Sequence, residues 1–327
     1  MNFVKRSLSM LAVCLCVCAP ALAADEVNFA EGAPFAPGPD PITQGAPSID
    51  GLLFVGTSTN INDPAGTAND VFTVDPITDD ATSILSGVGV WGATADLANS
   101  RVLFTRASGL TPPSGQIGGG DELFEVPFAG GTPTSLGRIT NGAGDGQRID
   151  GLAISGGVLY GAYAGGTGNG LYEIDWGTLV AVQIATWTDS ISGIDADPDT
   201  GTIWGVNDST GQLVTISLGG TITNVAAYPG GLGDIDGIAV GNGFAYLITD
   251  ESGDIPVYDI AGGDYTISLT SPFGSADTFS GGAIAGGDGG GTGDGGGAVP
   301  ATSGWGVIAL IVMIMAASLF YLRRRSN

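Results

Sequence analysis

Histidine is absent from all 327 residues, lysine occurs once, at Lys5, and the three cysteines sit together at Cys14, Cys16 and Cys18. Without imidazole there is no Ser-His-Asp triad and no histidine-ligated metal centre. Without a body lysine there is no Schiff-base chemistry. Positive charge is nearly as scarce. Nine basic residues face 33 acidic ones, for a net charge of −24. Five of the nine, Lys5, Arg6, Arg323, Arg324 and Arg325, lie at the two ends. The body keeps only Arg101, Arg106, Arg138 and Arg148, so its own charge is near −29. Such a surface repels nucleic acid and anionic lipid, and it attracts divalent cations or simply stays soluble. What remains for chemistry is carboxylates, hydroxyls and four guanidinium groups. With 33 acids in the chain, no pair of carboxylates identifies itself as an acid/base couple from sequence alone.

The ends are informative. Lys5 and Arg6 precede an apolar stretch from Leu11 to Val17, and Ala21-Leu22-Ala23 offers a small-x-small cleavage site, the pattern of an export signal spanning residues 1–24. Cleavage there removes all three cysteines and leaves a thiol-free chain without disulfides. Val13 and Val17 precede Cys14 and Cys18 where a lipoprotein signal needs a small residue. At the other end Trp305 to Leu322 is an uncharged run, about 27 Å long as a helix and thus of membrane length. Arg323, Arg324 and Arg325 then predict a cytoplasmic tail with the bulk of the chain outside.

Val299, Pro300, Ser303, Trp305 and Gly306, followed by the apolar run and the arginines, carry a resemblance. This order resembles the bacterial IPTL-CTERM sorting signal, in a variant form that departs at Val299, Ala301, Thr302 and Gly304. The resemblance covers residues 299–327 only. It implies an exosortase-like membrane enzyme as processing partner, and a protein held at, or released from, the cell envelope.

The body repeats itself. Similar segments begin at Ile149 (IDGLAISGGVLYG), Ile191 (ISGIDADPDTGTIWG), Ile235 (IDGIAVGNGFAYL) and Phe279 (FSGGAIA), with a divergent copy at Val90. Their shared glycines are Gly92, Gly151, Gly193, Gly237 and Gly281. Each copy continues into further short alternating runs, the mark of strands with two distinct faces. Gly156-Gly157 and Asn242-Gly243 occupy equivalent places and suit two-residue hairpins. Four short strands every 40 to 45 residues or so predict an all-β fold, a β-propeller of five four-stranded blades. Residues 49–285 form it, with the strand from Phe279 closing onto residues 51–86. A pair of β-sandwiches, or a six-bladed ring using residues 25–50, is the alternative. Residues 25–48 are rich in Pro and Gly, and residues 286–298 are a glycine linker.

Two groups of side chains are candidate sites. Asp195, Asp197 and Asp199 alternate like the start of a calcium loop, although Gly201 comes one place late and Val206 stands where a bidentate Glu belongs. A plain Asp-Pro-Asp-Thr-Gly turn is the simpler reading. Trp91, Asp150, Ser192, Asp236 and Ser280 hold equivalent places at the starts of the first strands. They form either a polar ring at one channel mouth, with Trp91 as a stacking face, or a set of turn caps. The expected function is an exported, membrane-tethered interaction or structural protein of the cell surface, with exopolysaccharide or surface proteins as partners and no nucleic acid. The contrasting class is a secreted calcium-dependent propeller enzyme of lyase or lactonase type.

Overall fold

The computed structural model describes residues 42–58, 70–108, 116, 119–232, 235–249, 252–273 and 279–286. The chain divides into two compact units, Met1–Gly289 and Gly290–Asn327, and all described residues lie in the first. The export signal, the linker, the sorting motif and the apolar run from Trp305 to Leu322 lie outside the described residues. Among those described, no helix is long and apolar enough to cross a membrane.

The alternating runs form five four-stranded antiparallel sheets. The first blade is built from both ends of the ring. Phe279–Ile284 lies innermost, then Leu53–Ser58, Val71–Val74 and Ala81–Leu85. Leu53 pairs with Ile284 and Ser58 with Phe279, the closure that the sequence predicts. Four blades follow in chain order. Their innermost strands are Ala93–Asp96, Gly151–Ser155, Ile191–Ala196 and Gly237–Gly241. Among the described residues the sheets number five, unlike the sandwich and six-bladed alternatives, and residues 42–50 add a bridge between Ala46 and Gly131 rather than a strand. Gly156, Gly157, Asn242 and Gly243 all take positive φ, as their hairpins require.

Period-two alternation sends successive residues to opposite blade faces, so each sheet packs on both neighbours. Five apolar clusters result, each shared by two adjacent blades. Phe54, Val71, Val102 and Phe104 join the first blade to the second. Leu53 and Val55, one residue removed from Phe54, instead meet Tyr246 and Ile248 of the fifth. Leu103 with Leu159, Ala153 with Ile194, and Val206 with Leu247 stand for the other three seams. Burying each such Leu, Ile or Phe contributes about 1.5–3 kcal/mol, and no disulfide supplements it.

Every blade also shifts register once between its third and fourth strands, at Val71/Phe72, Leu123/Phe124, Leu171/Tyr172, Leu213/Val214 and Val257/Tyr258. Outer strands such as Ala181–Thr186 and Ile222–Ala227 carry no charge. A bulge twists such an edge away from flat pairing with another chain, which substitutes for the missing lysines.

The shared glycines explain themselves at the axis. A Cβ on Gly92 would fall 2.6 Å from the Asp150 carbonyl oxygen, and one on Gly151 would fall 2.5 Å from the Ile194 nitrogen. On Gly193 it would lie 2.6 Å from the Asp236 oxygen, on Gly237 2.6 Å from the Ser280 oxygen, and on Gly281 3.1 Å from the Ala93 nitrogen. Each glycine thus touches the backbone of the next innermost strand, and the fifth returns to the first. Gly193→Ala should cost about 3 kcal/mol by overpacking against backbone and lower Tm by roughly 6–12 °C for a domain of this size. Gly219→Ala, whose Cβ meets only Ser217 Oγ at 3.8 Å, should change Tm little. Equal effects of the two substitutions on thermal unfolding would contradict the packing argument.

Candidate functional site

The axis is where five strands supply equivalent residues. Two positions beyond each glycine stand Ala153, Ala239 and Ala283 in three blades, but Thr94 and Asp195 in the other two. All five are buried. Asp195 ties strands from three blades together. Its Oδ1 accepts from Thr94 Oγ1 of the second blade at 2.8 Å and from its neighbour Ala196 N at 2.9 Å. Its Oδ2 accepts from Val240 N of the fifth blade at 2.8 Å. Burial pushes this carboxyl up to about 7, outweighing the three donors that favour its charged form. Beside it, at the end where the innermost strands finish, is a hollow of about 50 Å³ lined by Ala95, Ile154, Asp195, Val240, Asn242 and Ile284, among others. That is room for a water or two, not for a sugar or a peptide.

The calcium loop does not assemble. Asp195 spends its lone pairs as described. Asp197 caps the following turn, accepting from Asp199 N at 3.0 Å and Thr200 Oγ1 at 2.6 Å. Asp199 is exposed. Among the described residues no three His, Cys, Asp or Glu side chains come together as metal ligands. The physical reason is the strand itself, which fixes Asp195 in the axial packing while the turn recruits Asp197.

At the opposite end, Trp91, Asp150, Ser192, Asp236 and Ser280 precede the glycines, and all five are buried. Asp150 Oδ2 accepts from Ala164 N at 2.8 Å, Ser192 Oγ donates to Asp208 at 3.1 Å, and Ser280 Oγ donates to the Ile248 carbonyl at 3.0 Å. Asp150 and Ser280 thus bond backbone and Ser192 bonds the Asp208 carboxylate, so these three side chains are taken up within the protein. Trp91, 1 % exposed, offers no stacking face. Burial raises the Asp150 carboxyl to about 7, against the Ala164 N–H and the Arg148 charge, which both lower it.

The four arginines of the body are likewise engaged. Arg138 Nε and Arg148 Nη1 hold the two oxygens of the wholly buried Asp121 at 2.9 and 2.7 Å, and Ser108 donates to the same carboxylate through N and Oγ. Arg101 pairs with Asp96 and Glu125, and Arg106 lies 5.9 Å from the Phe124 ring centre. The Asp121 cluster was not singled out from the sequence. Its signal is that Arg106 and Arg138, at strand ends of the second blade, fall with Arg148 on the connection leaving it, while the other blades have no arginine. The Asp195 tie had a signal too, as an aspartate where sister repeats carry alanine.

No family model matches the chain, and no curated protein matches its sequence. Solved structures do resemble it. A nidogen/laminin complex is similar over 72% of this chain and 99% of that one, at 11% identity and TM-score 0.46. A structural genomics protein of unknown function from Bacteroides thetaiotaomicron is similar over 76% and 65%, at 11% identity and TM-score 0.47. The hydrazine synthase of Kuenenia stuttgartiensis is similar over 56% and 49%, at 17% identity and TM-score 0.36. Likenesses this distant say nothing about function, and the propeller assignment rests on the sheet order.

Two carboxyls raised by burial bind protons more readily in the fold than in the unfolded chain, where they return to about 3.8. Their contribution to stability is therefore complete below about pH 4 and lost as pH rises through about 7. Above about pH 5.5 the ordinary carboxylates have finished titrating, so the remaining fall in Tm up to about pH 7.5 belongs to this pair. Asp195→Asn should halve that slope, and Asp150→Asn with Asp195→Asn should flatten it. An unchanged slope in the double variant would show that burial does not govern these groups.

Proposed function

We propose that this protein is an exported β-propeller held at the bacterial envelope, and that it works as a surface interaction or structural module. The observation that carries this reading is the internal use of its polar chemistry. Asp195, Asp150 and Asp121 bond to backbone or arginine, and the axial space beside Asp195 is small. A calcium-dependent lyase or lactonase would need carboxylates converging on an open space, and no such group occurs among the described residues. Residues 305–322 then serve as the membrane anchor, Arg323, Arg324 and Arg325 as the inner stop, and residues 299–306 as the signal for an exosortase-like enzyme. The arginines bear on the partner. Because all four in the body are taken up internally, an acidic polysaccharide finds little to bind. Neutral glycans and basic protein surfaces suit a body that presents carboxylates outward.

Protease added to intact cells of the source bacterium should degrade the propeller while cytoplasmic markers survive, and full protection would reject the topology. Calcium chloride and sodium chloride at matched ionic strength should raise Tm alike, through screening of a body charge near −29. A larger shift with calcium, abolished by Asp197→Asn, would restore the metal-dependent reading.

A further inference from the structure

Buried carboxylates in this protein tend to come with an arginine. Asp121 pairs with Arg138 and Arg148 at 2.9 and 2.7 Å, Asp96 pairs with Arg101 at 2.7 Å, and the Arg148 charge bears on Asp150. Asp195, only 3% exposed, is different. Its donors are the Thr94 hydroxyl and the amides of Ala196 and Val240, all neutral, and among the described residues no cation pairs with it. A charge buried among neutral partners is costly, and a cation beside it offsets much of that cost.

Asp195 also lines the axial hollow, so a cation has a way to reach it. All five blades build this space. Ala95 of the second, Ile154 of the third, Val240 of the fifth and Ile284 of the first surround Asp195 of the fourth with an apolar wall. Asp199 and Asn242, both exposed, complete the lining on the solvent side. Among the described lining residues none is basic, and the acidic body draws cations toward the opening. Each carboxylate oxygen has two lone pairs. Oδ1 accepts from Thr94 and Ala196 and Oδ2 from Val240 alone, so Oδ2 retains a position for one further donor.

The wall selects among cations. A calcium ion takes about six to eight oxygen ligands, and methyl groups of Ala95, Ile154, Val240 and Ile284 supply none. A primary ammonium asks for less. Its head donates to the carboxylate, and the methylenes behind it pack on apolar side chains. A volume of about 50 Å³ fits such a head and excludes a bulky one.

We propose that the axial hollow binds a primary ammonium group, its nitrogen donating to Asp195 Oδ2 and its alkyl stem lying against Ile154, Val240 and Ile284. No lysine follows Lys5 in this chain, so the body of a second copy offers no side chain of this kind. A free alkylamine and the lysine of a partner protein share the chemistry. The site itself is independent of the envelope reading, and only the lysine source rests on the interaction role given above.

The test is the Tm of the full chain in propylammonium, tetramethylammonium and sodium chlorides at matched ionic strength. At about pH 8 the Asp195 carboxyl, raised to about 7, is mostly charged. Propylammonium at about ten times its Kd should add a saturable rise of roughly 3–5 °C over sodium. Tetramethylammonium, bulkier and without an N–H, should match sodium. Asp195→Asn should abolish the added rise. So should Ile154→Phe, which narrows the hollow and leaves the carboxylate in place, should the first variant fold poorly. Nα-acetyl-lysine methylamide separates the sources: a rise equal to that of propylammonium supports lysine side chains, a rise with propylammonium alone supports free amines, and either upholds the site. Equal shifts from all three chlorides would mean screening only and overturn the proposal. A propylammonium rise that survives both substitutions would place the amine elsewhere and overturn it as well. The measurement is made on purified protein, so amine binding by a propeller that proves protected in intact cells would sink the envelope reading alone.

Discussion

Five glycines in backbone contact around one axis are the constraint on which the rest of this molecule depends. Gly92, Gly151, Gly193 and Gly237 each let the next innermost strand approach closer than a Cβ permits, and at Gly281 a Cβ would be tightly crowded. Five blades close only at this short spacing. The closeness then decides what the axis can hold. Alanine fills most of the next layer, and the one carboxylate placed there, Asp195, is surrounded and must find its donors within the protein. The hollow beside Asp195, of about 50 Å³, leaves little room there for channel chemistry.

The second organising choice is where charge of each sign goes. Acids are spread over the surface, while the body's arginines all lie in the second blade or on the connection leaving it. Asp121, with no exposure at all, is bonded by two of them. A buried ion pair is a poor source of net stability but a strong source of registry. This one fastens Ser108, at the start of the long second-blade insertion, to Arg148, on the connection into the third blade.

Much of the fold was legible in the sequence because repetition is visible without knowing what is repeated. The glycine spacing, the hairpin pairs and the orphaned first and last strands together specified five blades and their closure. The candidate site was less legible. Alternating carboxylates at Asp195, Asp197 and Asp199 match a calcium loop by spacing, yet a strand and a turn divide them. Trp91 looked like an exposed platform because its repeat position borders the axis, and sequence does not say which way a side chain packs there. Asp195 was detectable in principle by aligning repeats, since its sister positions Ala153, Ala239 and Ala283 are alanine.

The pairing of Leu53–Ser58 with Phe279–Ile284 also sets a clock. The first sheet lacks its axial strand until the last strand of the ring has been made. Until then the backbone of Leu53–Ser58 offers an open edge, and Gly237 lacks the Ser280 backbone on which it packs. Such distant pairing is slow, and its half-formed states are prone to aggregate. A chain made from its N-terminus therefore passes through four blades and a waiting sheet. Its ring becomes a single cooperative body in one late step.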